Sequence, residues 1–209
     1  MTTQIEVLTA TETAVVAGVS VRDVNRIIDE RILPETFYST ESVRSFRVDA
    51  CALISFYFHA ADRLTSEERQ RTILAASNLS LEWKGRKNCL IQDEFLTVNL
   101  SSFLKSAHDR LARLSEARDL VVMDEDVLGG TPVIKGTRVP VYDVAASMDA
   151  GISMKRILSA YPGLDEKAVE LAALYAAANP QRGRRRRSAA PPAGAVIVSV
   201  HRRSRRDAA

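Results

Sequence analysis

The residue types that usually carry catalysis are few and scattered in this chain. Three histidines, His59, His108 and His201, lie far apart without HExxH spacing, and two cysteines, Cys51 and Cys89, form no CxxC pair. Zinc sites usually draw such ligands from short, characteristic spacings. The sequence therefore predicts no catalytic residue, no metal and no cofactor of this kind.

The one run of three carboxylates is Asp124-Glu125-Asp126. Metal-dependent nucleases hold magnesium with such groups. Contiguous side chains point in different directions on most backbones, however, and acids commonly cap turns. We interpret the cluster as a cap for the turn before Gly129 and Gly130, and we expect no enzymatic activity.

Arginine, in contrast, is concentrated in one part of the chain, the C-terminal tail. Residues 181–209 hold nine arginines and one acid, a net charge of +8, whereas residues 1–180 carry a net charge of −5. Such a tail is predicted to seek nucleic acid phosphate or a carboxylate-lined protein surface, the alternative being a solvated, disordered end. The candidate partner-binding arginines of this tail are Arg184, Arg185, Arg186, Arg187, Arg202, Arg203, Arg205 and Arg206.

An apolar run, residues 195–200, interrupts this basic tail, with Val196, Ile197 and Val198 at its centre. A tail that only grips phosphate has no need of it, but a strand that adds to a partner's sheet does. The alternative is a chance run of β-prone residues.

Local signals in the first 60 residues predict two short helices joined by a tight turn. Thr9 and Glu12 are spaced as a capping box, and Gly18 favours a left-handed helix end. Ser20 then caps a second helix, which Pro34 closes. Residues 35–48 predict a small β wing, and the apolar run that follows predicts a packing helix.

This order resembles winged helix-turn-helix modules of the excisionase and MerR type over residues 5–60. The resemblance implies a recognition helix that contacts DNA and a wing that touches phosphate. A small three-helix unit without nucleic acid is the alternative, and five arginines against eight acids in residues 1–60 mean that any DNA face is local. The candidate DNA-binding residues are Ser20, Arg22, Asn25, Arg26, Arg44 and Arg47.

Residues 63–120 read as a connector. Thr65 and Glu68 form a second capping box, and the segments LSLEW and CLIQ flank a KGRKN turn as in a hairpin. Further on, apolar residues recur at helical spacing and predict a core face or a dimer seam. They are Phe103, Ala107, Leu111 and Leu114.

Residues 121–180 predict a short strand pair followed by three helices. The helices are predicted over Tyr142 to Met148, from a Ser153 cap to Ala160, and from an Asp165 cap to Ala178. Within the strand pair, Arg138 is predicted to be exposed, where its guanidinium suits phosphate or a partner carboxylate. The alternative is that Arg138 pairs with Asp143.

Four blocks of this region resemble VapB-type antitoxins, those of mycobacteria in particular. They are GGTPVIKGTRVPV at 129–141, Gly151-Ile152-Ser153, Tyr161-Pro162 and LAALYA at 171–176. The resemblance implies a PIN-like, VapC-type ribonuclease toxin as the partner, and repression of the antitoxin's own operon through operator DNA. Arg156 departs from the family, which usually has an acid after the capping serine.

Together these patterns predict a mainly α protein with small β hairpins. Two winged helix-turn-helix-like modules, 1–62 and 121–180, are joined by a connector, 63–120, and followed by the basic tail. The function hypothesis is an antitoxin, and the alternative is a stand-alone DNA-binding transcriptional regulator.

A homo-oligomer is expected because two linked half-sites raise affinity for a two-fold operator, with Leu53 to Phe58 or the stripe through Phe103 and Leu111 as its seam. The N-terminus resembles no secretory signal, and no apolar run approaches the roughly 18 residues of a membrane span. A cytoplasmic protein that does not enter a membrane is therefore expected.

Overall fold

A computed structural model describes residues 7–77, 89–93 and 96–181. This part of the chain is mostly helical with small antiparallel sheets, as expected. Its N-terminal elements are β1 (Val7–Thr9), α1 (Ala10–Ala17), α2 (Val21–Asp29), β2 (Tyr38–Ser39), β3 (Ser45–Arg47) and α3 (Ala50–His59). The others are α4 (Ser66–Ser77), β4 (Leu90–Asp93), β5 (Leu96–Asn99), α5 (Ser101–Leu120), β6 (Val121–Val122), β7 (Val133–Ile134), α6 (Val141–Asp149), α7 (Met154–Ala160) and α8 (Glu166–Ala178).

The predicted pair of helices at the N-terminus is present with its caps. Thr9 and Glu12 bond reciprocally at the start of α1, and Gly18 ends the helix at φ +70°. Ser20 and Asp23 form a second capping box at the start of α2. Each box satisfies backbone N–H groups that have no partner inside the helix.

Residues 35–48, which the sequence predicted as a small β wing, contain a short antiparallel hairpin of β2 and β3. The sheet has a third strand that the sequence pattern did not indicate, because β1 pairs antiparallel with the free edge of β3. Leu8 lies opposite Phe46 in this pairing, and both side chains are fully buried. This hairpin is therefore anchored to the strand that leads into α1.

The first hydrophobic core surrounds α3. Residues 50–57 are all buried, and Phe56 meets Phe103 of α5 edge-on with ring centroids 5.6 Å apart. The predicted dimer seam at Leu53 to Phe58 is wrong in its location, because the chain's own helices cover residues 53–57. Ala107 and Leu114 of the predicted stripe are buried in the same core, and Phe103 and Leu111 pack against it.

The first core continues beyond residue 62, the boundary predicted between the first module and the connector. Ile73 of α4 and Ile91 of β4 belong to it together with residues of α5. The CLIQ segment forms β4, whose observed partner is the downstream strand β5. The predicted partner LSLEW and the KGRKN turn lie outside the described residues.

The C-terminal helices form where the sequence predicted them. α6, α7 and α8 pack with β7 around a second core that contains Val144, Ile157 and Val169. α8 also packs against α5 and α1, and Ala178 near its end belongs to the first core. Exposed ion pairs Arg113–Glu170 and Lys167–Glu116 join α5 to α8.

Among the described helices, none combines the length and the apolar character that a membrane span requires.

Candidate functional site

The polar face of α2 gathers four of the predicted DNA-binding residues. Helical spacing puts positions 22, 25, 26 and 29 on one side, while Val24 and Ile27 are buried on the other. These polar side chains surround a surface depression of about 910 Å³. The residues that line it are Ser20, Arg22, Asp23, Asn25, Arg26, Asp29 and Glu30.

Ser20 acts on the helix start. Its hydroxyl donates to Oδ2 of Asp23 at 2.7 Å and accepts from the backbone N–H of Asp23 at 3.1 Å. Such a cap is worth about 1 kcal/mol of helix stability. Ser20 therefore sets where α2 begins.

Arg44 joins the β2–β3 hairpin to α2. It lies in the connection between β2 and β3, and its Nη1 donates to Oδ1 of Asn25 at 2.9 Å. Its Nη2 donates to Oδ1 of Asp29, also at 2.9 Å. The sequence predicted Arg44 as a phosphate contact, and the structure places its guanidinium across one turn of α2.

The remaining predicted cations of this region are arranged differently. Arg26 donates from Nε to Oε1 of Glu30 at 2.7 Å. Arg47 pairs with Asp49 and stacks over Phe37, so it lies apart from the α2 face. Arg22 is exposed and makes no hydrogen bond or ion pair with any described residue.

The charges of this face are balanced. Three arginines are matched by three acids. Because the face has no net charge, it offers a pattern of polar groups and little net attraction for phosphate. The six residues are Arg22, Arg26, Arg44, Asp23, Asp29 and Glu30. Sequence-independent binding to DNA grows with the number of cations that meet phosphates. This face by itself therefore supplies little of that attraction.

Long-range contacts from α5 hold the start of α1 and the turn before α2. Arg110 donates from Nη1 to the backbone oxygen of Ala17 at 3.1 Å, and its guanidinium covers Gly18. Arg118 pairs with Glu12 at 2.8 Å. Sequence reasoning missed both roles, because an arginine on the outer side of a helical stripe carries no signal of its distant partner.

The Glu12–Arg118 pair is largely shielded from water. Burial of the Glu12 carboxyl opposes its ionisation, but hydrogen bonds from Arg118 and Thr9 outweigh that effect and lower its pKa below the ordinary 4.5. Glu12 thus serves both the cap of α1 and the contact with α5.

Arg138 lies in the turn region after β7, beside a depression of about 430 Å³. The Thr137 hydroxyl donates to the Ile134 carbonyl at 2.7 Å and accepts from the Val139 N–H at 3.1 Å, so it stabilises the turn. Arg138 is exposed, and within the described ranges it pairs neither with Asp143 nor with another residue. Its guanidinium is free for a partner.

The carboxylate cluster behaves as a turn cap. Oδ1 of Asp124 accepts from the backbone N–H of Asp126 at 3.0 Å, and the backbone oxygen of Asp124 accepts from Val127 at 3.0 Å. Within the described part of the chain, no three His, Cys, Asp or Glu residues come together in a way that could hold a metal ion.

Apolar side chains stand out beside this turn. Met123 is 68% exposed, and Leu128 is 55% exposed on a backbone with φ +49°, followed by Gly129 and Gly130 in the left-handed region. Non-glycine residues seldom adopt this conformation.

The predicted partner-binding residues of the tail lie outside the described residues, namely Arg184, Arg185, Arg186, Arg187, Val196, Ile197, Val198, Arg202, Arg203, Arg205 and Arg206.

Comparison with known proteins places this mainly helical chain in a family. Residues 121–176 match a family described as a protein of unknown function, DUF433. The chain is 51% identical over 208 residues to the uncharacterized protein y4eO of Sinorhizobium fredii, covering 96% of this chain and 94% of that protein. The chain therefore belongs to the family of y4eO. No solved structure matches it.

Proposed function

We propose that this protein is an antitoxin that binds operator DNA through α2 and the β2–β3 wing. In this proposal the C-terminal part, with Arg138 and the basic tail, neutralises a PIN-like ribonuclease. The four blocks between residues 129 and 176 that resemble VapB-type antitoxins support the toxin-binding half.

The observation that carries the DNA-binding half is the geometry of α2. A capped, polar helix follows a tight turn, and a wing residue, Arg44, is hydrogen-bonded to its exposed face. In winged helix-turn-helix proteins the second helix enters the major groove with its N-terminal residues at base edges. Arg22, in the first turn of α2 and without a protein partner in the described part, is suited to such a contact.

The test of this half compares two helices of the same chain. A variant with Arg22, Asn25 and Arg26 replaced by alanine should lose operator affinity, by about 1 to 3 kcal/mol for each residue that reaches a base edge. The matched control replaces Lys155, Arg156 and Ser159 of α7, which are also exposed and also comprise two cations and one polar residue.

The measurement is a binding titration with the DNA upstream of the gene and with random duplex. The α7 variant should keep the full-length protein's preference for the upstream DNA. Unchanged operator affinity in the α2 variant would contradict the assignment of α2 as the recognition helix.

The toxin-binding half is supported by charge. A PIN-like nuclease gathers carboxylates to hold its metal, and such a cluster attracts a cation when the metal is absent or shared. A guanidinium stays charged and can bind two carboxylate oxygens at once. The apolar run around Ile197 would set the register by pairing with a sheet edge of the toxin.

A chain truncated after Pro180 separates the two halves, because all described helices end by residue 178. It should bind the operator while losing inhibition of the RNA cleavage by the toxin from the neighbouring gene. If it inhibits as strongly as the full chain, Arg138 and the exposed residues near it become the candidates, and Arg138→Ala tests them.

A stand-alone DNA-binding regulator is the second candidate. The α2 face favours it, because the described contacts that shape this face join Ser20 to Asp23, and Arg44 to Asn25 and Asp29, all in the N-terminal region. Specific operator binding without co-purification of the neighbouring gene product would decide for this candidate.

A further inference from the structure

We infer that Asn25 reads the hydrogen-bond acceptors of a guanine through its Nδ2, while Arg44 occupies its Oδ1. This inference rests on the proposed binding of DNA by α2. It assigns the base class that the α2 face recognises and gives Arg44 the role of a positioning residue.

The Arg44 contact determines how the Asn25 amide is turned. A guanidinium has donors and no acceptor, so the atom of Asn25 that faces Nη1 at 2.9 Å must be Oδ1. The second bond, to Asp29, holds the guanidinium in place. Nδ2 of Asn25 donates to no described residue, and the side chain is partly exposed.

Each carboxylate on the α2 face already accepts a hydrogen bond within the protein through one of its oxygens. Asp23 accepts from Ser20 at the helix cap, Asp29 accepts from Arg44, and Glu30 accepts from Arg26. Two sets of donors on this face make no hydrogen bond in the described part, the Arg22 guanidinium and Nδ2 of Asn25. They lie three residues apart, on one side of the helix.

These two free sets of donors select acceptors in the major groove. Guanine presents two acceptors there, N7 and O6, whereas thymine presents one, O4, and adenine presents N7 and an N6 donor. Asparagine usually reads adenine by accepting from N6 with Oδ1 and donating to N7 with Nδ2. A charge-assisted bond from Arg44 weakens Oδ1 as a further acceptor and polarises the Nδ2 donor. Guanine is therefore the matching base.

Phosphate oxygens are also acceptors, so the test has to distinguish a base from the backbone. The full-length chain is used to select binding sites from random duplex DNA, and affinities are then measured for sites with guanine or adenine at each selected position. One guanine should depend on Asn25, with about a fivefold to tenfold loss when adenine replaces it.

Three variants separate the two amide atoms of Asn25 and the role of Arg44. Asn25→Ala and Asn25→Asp both lack Nδ2 and should both lose the preference for guanine at that position, although the aspartate keeps an oxygen for Arg44. Arg44→Ala frees Oδ1 and should move the preference at the same position towards adenine. Ratios of affinity for the guanine and adenine duplexes cancel the general effect of the changed charge.

Two results would overturn the inference while leaving DNA binding in place. One is a wild-type preference for adenine at the position that depends on Asn25. The other is an equal loss of affinity for all duplexes in the Asn25 variants, which indicates a phosphate contact. A chain that prefers no DNA sequence would overturn the proposed function together with this inference.

Discussion

Two turns of this molecule share a three-residue pattern but differ in what holds them. Gly18-Val19-Ser20 precedes α2, and Gly151-Ile152-Ser153 precedes α7. The two glycines adopt nearly the same conformation, φ +70° and +73°. The Ser20 hydroxyl caps its helix, whereas the Ser153 hydroxyl makes no cap hydrogen bond in the described part of the chain.

The difference has a local and a distant cause. Three residues after each serine stand Asp23 and Arg156, and only the acid can return a hydrogen bond to the serine N–H. Arg110 of α5 lies against Gly18. A Cβ at Gly151, by contrast, would have no described atom within 4 Å other than those of its own residue and its two neighbours in the chain. The turn in front of the candidate DNA face is thus the one fixed by both kinds of contact.

The glycine pair should show the largest effect. Gly18→Ala forces a Cβ into the left-handed region and to 2.6 Å from Nη1 of Arg110, which has to move. We expect a loss of about 2 to 3 kcal/mol, from the backbone strain and the lost Arg110 hydrogen bond. Gly151→Ala should lose only the strain, about 1 to 2 kcal/mol. Urea unfolding of both variants measures the difference in stability. Equal losses would show that the Arg110 contact does not stabilise the turn at Gly18.

The second largest loss of stability should follow from breaking the Glu12–Arg118 ion pair between α1 and α5. Arg118→Met leaves Glu12 shielded from water without its cation and should cost about 1 to 2 kcal/mol. Arg113→Met is the matched control, because its pair with Glu170 is exposed and should contribute less than about 0.5 kcal/mol. Similar losses for both variants in urea unfolding would show that the Glu12–Arg118 pair contributes no more to stability than the exposed Arg113–Glu170 pair does.

The same pair predicts a dependence on pH. Because Arg118 and Thr9 hold the pKa of Glu12 below 4.5 in the folded chain, ionised Glu12 contributes stability above that pH. This contribution is lost as the pH falls through the lower, folded pKa. The stability difference between the wild type and Arg118→Met should therefore shrink on acidification, and a difference that grows would contradict the assignment.

Replacement of Ser20 and of Ser153 by alanine should change stability by different but smaller amounts. Ser20→Ala removes the α2 cap and should cost about 1 kcal/mol. Ser153→Ala removes no cap bond and should change stability by less than about 0.5 kcal/mol. Thermal unfolding of the two variants measures this, and a larger loss at Ser153 would reverse the comparison.

The smallest effect should come from repairing the second turn. Arg156→Glu places an acid where Asp23 stands in the first turn and should stabilise the chain by about 0.5 kcal/mol through a capping box with Ser153. Lys155→Glu makes the same charge change one residue earlier and tests the helix dipole alone. An equal gain in thermal stability for both variants would attribute the effect to charge.

Much of the fold could be predicted because its signals are local. The capping pairs at Thr9 and Thr65, the positions of α6, α7 and α8, and the short β2–β3 hairpin were all indicated by residues within a few positions of one another. The third strand β1 was missed, since three residues carry too little pattern to show a partner. The partner of β4 was also missed, because an apolar strand does not indicate which neighbour it pairs with.

For the candidate site, the sequence by itself determined which side chains share the outer face of α2, since helical spacing follows from the backbone alone. Only the tertiary structure decided which of their atoms remain free. The contact responsible joins residues 19 positions apart, Arg44 and Asn25, and the contacts that hold α1 and the turn before α2 join residues 93 positions apart for Arg110 and Ala17 and 106 for Arg118 and Glu12. Such contacts depend on how whole helices pack, and short sequence patterns do not contain that information.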